Sequence, residues 1–350
     1  MVSLSVTVSA SDISVNDVWN DIDDKTEEYL EELGITEITF EELFDLSPTR
    51  VVSFLFDLAF KTGITIHKKV FSVVIIILIV SIANAFLKES NNFEYLVSFV
   101  GILAIFSVII EPISRIITDV AVGIKTSAIF VNSYLPVMTA IIVASKNPGL
   151  AITYNSFSIF LSSFITSVCD KFFMPFISLL LSFNVLSSFS FENFRERILA
   201  GCKRVVIIIL SLFSTVYTGL LTTQSLLATS SDSIALRGIK FISGAFVPVV
   251  GAGVGDAISS VFSSFLIMKN TLGVFVIIVI ILINLPVIIE LLIWYFAMQI
   301  CSIVSSLLGI KNITDVLDGI SSLISLLNII LFFVTLVLVI STGVIIMMGK

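Results

Sequence analysis

Histidine, cysteine and charge are scarce in these 350 residues, and each scarcity closes off a class of function. A single histidine, His67, rules out most histidine-bound metal centres and most histidine-dependent catalysis. The three cysteines, Cys169, Cys202 and Cys301, sit in or beside apolar runs and share no CxxC spacing. That pattern argues against a disulfide framework or zinc site and for small buried apolar side chains. No GxxxxGK(S/T) loop is present, so the chain has no P-loop for ATP. No metal or other cofactor is expected. Charged residues make up 13% of the chain against 57% hydrophobic, and the mean hydropathy of +1.12 is far outside soluble usage.

What remains is apolar helix. Several runs reach the roughly 17–25 residues that a membrane-crossing helix needs, and the alternating pattern of an outer-membrane barrel is missing. The sequence predicts an all-α, polytopic helical membrane protein of about 7–9 spanning helices, some broken or re-entrant, carrying a small acidic helical head at its N-terminus. The net charge of −7 is unevenly shared. Residues 1–66 hold fourteen acidic and three basic side chains, whereas residues 67–350 hold twelve and sixteen. The expected organisation is therefore a head at 1–66 and a multi-span domain at 67–350. A head this acidic repels phosphate, so nucleic acid is excluded as its partner.

Met1–Ala10 lacks a basic segment and reads as a poor secretory signal, or the remnant of one whose start would lie upstream. An amphipathic helix is expected over 14–33, capped by Gly34. Thr39 with Glu42 spells a capping box for a short second helix. Ser47-Pro48 opens a third helix, 49–62, with Gly63 closing it. Spans are then expected at 70–87, 95–113, 127–145, 150–168, 172–189, 205–223, 272–298 and 323–348. Between the second and third, 114–126 reads as an interfacial segment with Arg115, Asp119 and Lys125 on its polar side. A further amphipathic connector is expected at 299–319. The loop 191–204 carries Arg195, Arg197, Lys203 and Arg204, the densest basic cluster in the chain. The positive-inside rule places it in the cytoplasm, and counting back places the head outside.

One stretch stands apart. Residues 237–270 are apolar, yet they include Gly244, Gly251, Gly253, Gly255, Pro248 and Asp256, with Arg237 and Lys240 just upstream. Proline removes a backbone donor and glycine loosens a helix. At membrane depth such backbone persists only where protein or water re-satisfies it. Arg237, Lys240, Gly244, Pro248, Gly251, Gly255 and Asp256 are thus the candidate core or pathway element. Helix packing through the Gly251-xxx-Gly255 pair competes with the pathway reading. Asp170, Lys171 and Glu290 are the charges set within apolar runs, and such charges mark interiors, pores or relays. For Glu290 two readings stand: a protonated or hydrogen-bonded side chain facing the bundle, or a pair with Lys171, Arg237 or Lys240. Gly253-Val254-Gly255-Asp256 also spells GxGD, the motif of intramembrane aspartyl proteases, which need two carboxylates sharing a proton. The one upstream candidate, Asp170, follows a cysteine instead of a tyrosine, and the downstream Pro-Ala-Leu element is missing.

The run from Ala235 to Gly251, with Arg237-Gly238, Lys240, Phe246-Val247-Pro248-Val249 and the later Asp256-Ala257, resembles the signature region of the stage III sporulation protein AE family. The resemblance implies a non-enzymatic, membrane-embedded, permease-like subunit of the secretion-like channel complex that links mother cell and forespore. It further implies a place in the outer forespore membrane among other membrane subunits, as a homo- or hetero-oligomer, and a role in late forespore gene expression. The alternative is an ion-coupled transporter of a small solute, with Glu290 and Asp256 as coupling groups; a GxGD protease comes last.

Overall fold

The computed structural model describes residues 15–44, 46–86, 91–144, 148–187, 198–213 and 251–347, together with positions 215, 217 and 219. Among them every regular element is a helix. The head begins with α1 (Val15–Asn20), α2 (Asp24–Leu33) and α3 (Phe40–Phe44). The single helix expected over 14–33 is divided because Asp23 caps α2: its carboxylate accepts from Thr26 N at 3.3 Å and from Thr26 Oγ1 at 2.7 Å. Gly34 closes α2 at φ 84°. A side chain there would also collide with Arg50, whose Nη1 donates to the Leu33 carbonyl at 3.1 Å. The Thr39–Glu42 box is half formed. Thr39 Oγ1 accepts from Glu42 N, but the Glu42 carboxylate turns back to the amides of Thr36 and Glu37, at 2.7 and 2.9 Å.

The body is built from α4 (Pro48–Phe86), α5 (Asn91–Ala144), α6 (Pro148–Val168), α7 (Met174–Ser187), α8 (198–213), α9 (Gly251–Leu307) and α10 (Lys311–Met347). Gly63 does not end a helix: α4 runs unbroken from the head into the first apolar run. The expected interfacial segment 114–126 is also absent as a separate element, since α5 passes straight through it with Pro112 and Pro136 inside. The expected spans 150–168 and 172–189 are joined by a π-helical turn, Cys169–Phe173. Among the described residues five helical stretches are long and apolar enough to cross a membrane, and two pairs of spans that the sequence separates, 95–113 with 127–145 and 150–168 with 172–189, are joined. The physical reason is common to all three. In an apolar setting an unpaired backbone group is so costly that a proline, a glycine or a charge bends the helix without ending it.

Helix α5 has 54 residues and α9 has 57. At 1.5 Å per residue each extends about 80 Å, against roughly 30 Å of hydrocarbon core. Charges divide α5 at its middle, where Glu111, Arg115, Asp119 and Lys125 separate two apolar stretches. Helices α9 and α10 form a long antiparallel hairpin turning at Gly309, φ 75°. Near the turn Gln299 Nε2 donates to Ser321 Oγ at 2.7 Å, and Ser302 Oγ to Asp318 Oδ1 at 2.6 Å. At the far end Gly273 lies against Ile346. Helices α4, α5 and α6 pack around this hairpin, with α7 along α10. The head rests on the same hairpin: Trp19 stacks on Phe275 of α9 at 5.6 Å, and Tyr29 meets Phe54 of α4 edge-on at 5.5 Å.

Candidate functional site

Polar side chains from five helices meet at one level of the apolar bundle. From α8, Lys203 Nζ donates to Ser325 Oγ of α10 at 3.1 Å. Three residues further along α10, Asn328 Nδ2 donates to the Ile288 carbonyl of α9 at 3.4 Å. Two residues beyond Ile288, Glu290 Oε1 accepts from Arg115 Nη2 of α5 at 2.7 Å. Arg115 Nε lies 3.9 Å from Asp119, one turn on. One turn before Arg115, Glu111 Oε2 accepts from Lys69 Nζ of α4 at 3.3 Å. The outcome is a polar transect running α8–α10–α9–α5–α4.

Burial is graded along it. The Glu290 side chain is 18% exposed, whereas Arg115 is 50% and Glu111 66% exposed. The guanidinium–carboxylate contact therefore joins an enclosed anion to a half-open cation. That geometry suits Arg115, whose long stem reaches inward while its head stays accessible. Each helix carries a proline one turn before its charge: Pro112 precedes Arg115 and Pro286 precedes Glu290. Proline withdraws a donor from the carbonyl four residues back and leaves the helix easier to bend. Beside Pro286, Asn284 is fully buried and its Nδ2 donates to Ser127 Oγ of α5 at 2.7 Å and to the Ile280 carbonyl at 2.9 Å. Gly123 permits this approach, because a Cβ there would sit 3.0 Å from Asn284 Oδ1. A second buried polar group lies further along the bundle, where Tyr134 hydrogen-bonds Tyr154 and, at 3.1 Å, Thr342.

The residues singled out from sequence fare differently. Glu290 lies at the centre of the transect, and its described partner is Arg115 instead of Lys171. The reason is the continuity of α5, which carries Arg115 into the bundle instead of along an interface. Asp170 and Lys171 are exposed on the π turn. Gly251, Gly255 and Asp256 lie in the first turns of α9, so the backbone is regular helix from Gly251 onward. Arg237, Lys240, Gly244 and Pro248 lie outside the described residues. Sequence reasoning missed Lys69, Arg115 and Lys203. A signal was available in the spacing Glu111, Arg115, Asp119, which puts three charges of alternating sign on one helix face.

Fold and site together define a polytopic helical membrane protein whose bundle is crossed by charge-paired polar groups. The chain belongs to the stage III sporulation protein AE family, whose family model matches residues 27–349. Stage III sporulation protein AE of Bacillus subtilis (strain 168) is 28% identical over 235 residues, covering 65% of this chain. The match spans 59% of that relative's length. No solved structure matches the chain.

Proposed function

We propose that this chain is a non-enzymatic, permease-like membrane subunit of a channel complex linking mother cell and forespore during endospore formation. In this reading it supports transport into the forespore and, through that, late forespore gene expression. It would reside in the mother-cell-derived outer forespore membrane with its acidic head extracytoplasmic, among other membrane subunits of the complex. Family membership supplies the sporulation setting. The structural observation that carries the permease-like reading is the transect, and above all the 2.7 Å Arg115–Glu290 contact between two proline-bearing helices. Charges at membrane depth are expensive and mark interiors and pathways more than lipid-facing surface.

The same contact weighs against an ion-coupled transporter. A carboxylate locked to a guanidinium is a poor ion carrier, because releasing it leaves two uncompensated charges in an apolar bundle. The test is made in sporulating cells. Glu290→Gln and Arg115→Gln should each impair forespore gene expression, and the Arg115→Glu/Glu290→Arg exchange should restore it in part. Full function in both single variants would overturn the reading. A cysteine scan of 244–256 with a membrane-impermeant thiol reagent examines the Gly/Pro stretch; uniform protection in the assembled complex would count against its lining a pathway.

A further inference from the structure

One end of the transect is unlike the rest. Lys69 and Arg115 each face a carboxylate, but Lys203 meets a neutral hydroxyl, Ser325 Oγ at 3.1 Å. Of the described carboxylates none lies within 4.0 Å of its ammonium. Lys203 is nonetheless half-buried against α10, with Arg204 exposed beside it. A half-buried cation opposite a neutral partner, with no described carboxylate in reach, can take an anion from outside the chain.

A groove begins at the same serine. Ser325 forms part of the wall of a cleft of about 780 Å³ between α8, α9 and α10, within the range that encloses a small ligand. Its lining changes character along α10. Near Ser325 it includes Asn328 of α10 and Tyr295 of α9, and further on it includes Phe332 and Leu336. From Ser325 to Leu336 the wall is about 16 Å long at 1.5 Å per residue. On the α8 side the lining includes Ser211 and Thr215, whose hydroxyl donates to the Ser211 carbonyl at 2.9 Å. A cation and polar groups at one end, with aromatic and aliphatic walls at the other, match an amphiphile with an anionic head.

We propose that the α8–α9–α10 groove is a binding site for an anionic phospholipid, with the phosphate on Lys203 and one acyl chain along Phe332 and Leu336. Charge complementarity selects this occupant. A zwitterionic lipid offers the same tail but brings its own cation to the head, and an apolar partner helix filling the groove would leave Lys203 without a counter-ion. The site is independent of what the complex transports. It would make the packing of α8 against the α9–α10 hairpin responsive to membrane composition.

The full-length chain, purified in mild detergent, is equilibrated with mixed micelles holding phosphatidylglycerol and phosphatidylcholine in equal amounts, and retained lipid is counted by native mass spectrometry. Wild type should retain phosphatidylglycerol in preference. Lys203→Gln should weaken that retention about tenfold, the loss of one charge-assisted contact, and Lys203→Arg should keep it. Leu336→Trp, which fills the apolar end without touching the charge, should reduce retention of both lipids. Equal retention of the two lipids by wild type overturns the proposal whatever the variants do. So does a Lys203→Gln protein that binds phosphatidylglycerol as wild type does. Unchanged retention by Leu336→Trp refutes the acyl-chain placement, and with it the groove as the site.

Discussion

Two helical hairpins of the body are made of similar residues and held in different ways. In α9–α10 the helices are locked by side chains that must pair: Gln299 with Ser321, Ser302 with Asp318, Asn328 with a backbone carbonyl. In α4–α5 the seam is apolar, with Val80 close against Gly101, and carries one described ion pair, the open Lys69–Glu111. Burial follows: 56% of the apolar window of α10 lies inside the fold, against 17% for α4. Lipid is as apolar as leucine, so greasy surface alone cannot pull helices together in a membrane. Polar interlocks and small residues decide which pair becomes the centre. The inner hairpin has both along its length, while the outer one leaves Phe71, Ile79, Ile82 and Phe86 exposed.

The largest expected effect is on the inner hairpin. A Cβ at Gly319 would lie 1.8 Å from Asn184 Oδ1, and Asn184 is fully buried with its Nδ2 bonded to the Val316 carbonyl at 3.1 Å. The amide cannot swing aside without losing that bond. Gly319→Val should destabilise the fold by about 3 kcal/mol, the upper range for overpacking, read as a lower detergent-unfolding midpoint. Gly63→Val is the control on α4, where an added Cβ meets nothing within 4 Å. It should change the midpoint little. Equal effects at the two glycines would abolish the contrast between the hairpins.

Next come the two ion pairs, which differ in enclosure but share their chemistry. Arg115→Ala strands Glu290, and an enclosed charge without its partner costs several kcal/mol when fully buried. At 18% exposure we expect about 2 kcal/mol. Lys69→Ala breaks an open pair and should cost less than about 1 kcal/mol. Raising salt should weaken the Lys69–Glu111 pair more, because screening acts on solvent-reachable charge. A double-mutant cycle on each pair measures both coupling energies, and similar values would show that burial does not separate them.

The same contrast explains what could be read from the chain. Fold class was legible because long apolar runs admit one backbone solution in lipid. The number of separate helices was not, because Pro112, Gly63 and the 169–173 turn carry the signals that end helices in water. Glu290 is legible as a costly charge, but Arg115 reads as the polar side of an interfacial segment at 114–126. Lys203 read as one more basic residue of a loop, and only the register of α8 against Ser325 gives it a different meaning. In each case the missing information was which helix continues, and that depends on the solvent around it.

The head tests which hairpin holds it. Trp19 stacks on Phe275 of the inner hairpin and donates from Nε1 to Glu27 at 3.0 Å, while Tyr29 touches Phe54 of the outer one. Trp19→Ala should loosen the head by about 1–1.5 kcal/mol, the scale of an aromatic pair, seen as faster limited proteolysis between residues 20 and 40. Phe54→Ala should loosen it less, since α4 is continuous with the head and keeps it tethered. If Phe54→Ala has the greater effect, the inner hairpin is not the head's main support.

The smallest effect is a pH dependence confined to the head. Hydrogen bonds from the amides of Glu37 and Thr36, and a weaker one from the Thr36 hydroxyl, hold the Glu42 carboxyl below its usual value. A carboxyl whose folded value is depressed stabilises the fold above its unfolded value and loses that contribution as pH falls through the folded one. Glu42 is open to water, so the consequence is local and not global. Protection of the Thr36 and Glu37 amides against hydrogen exchange, corrected for the intrinsic pH dependence, should be complete at neutral pH. It should fall on acidification below the ordinary glutamate range, with the inner hairpin unaffected. Glu42→Gln keeps an acceptor but not the charge: it should begin with weaker protection and show no acid step. An acid step retained in Glu42→Gln would assign the titration to one of the neighbouring carboxylates of this acidic head.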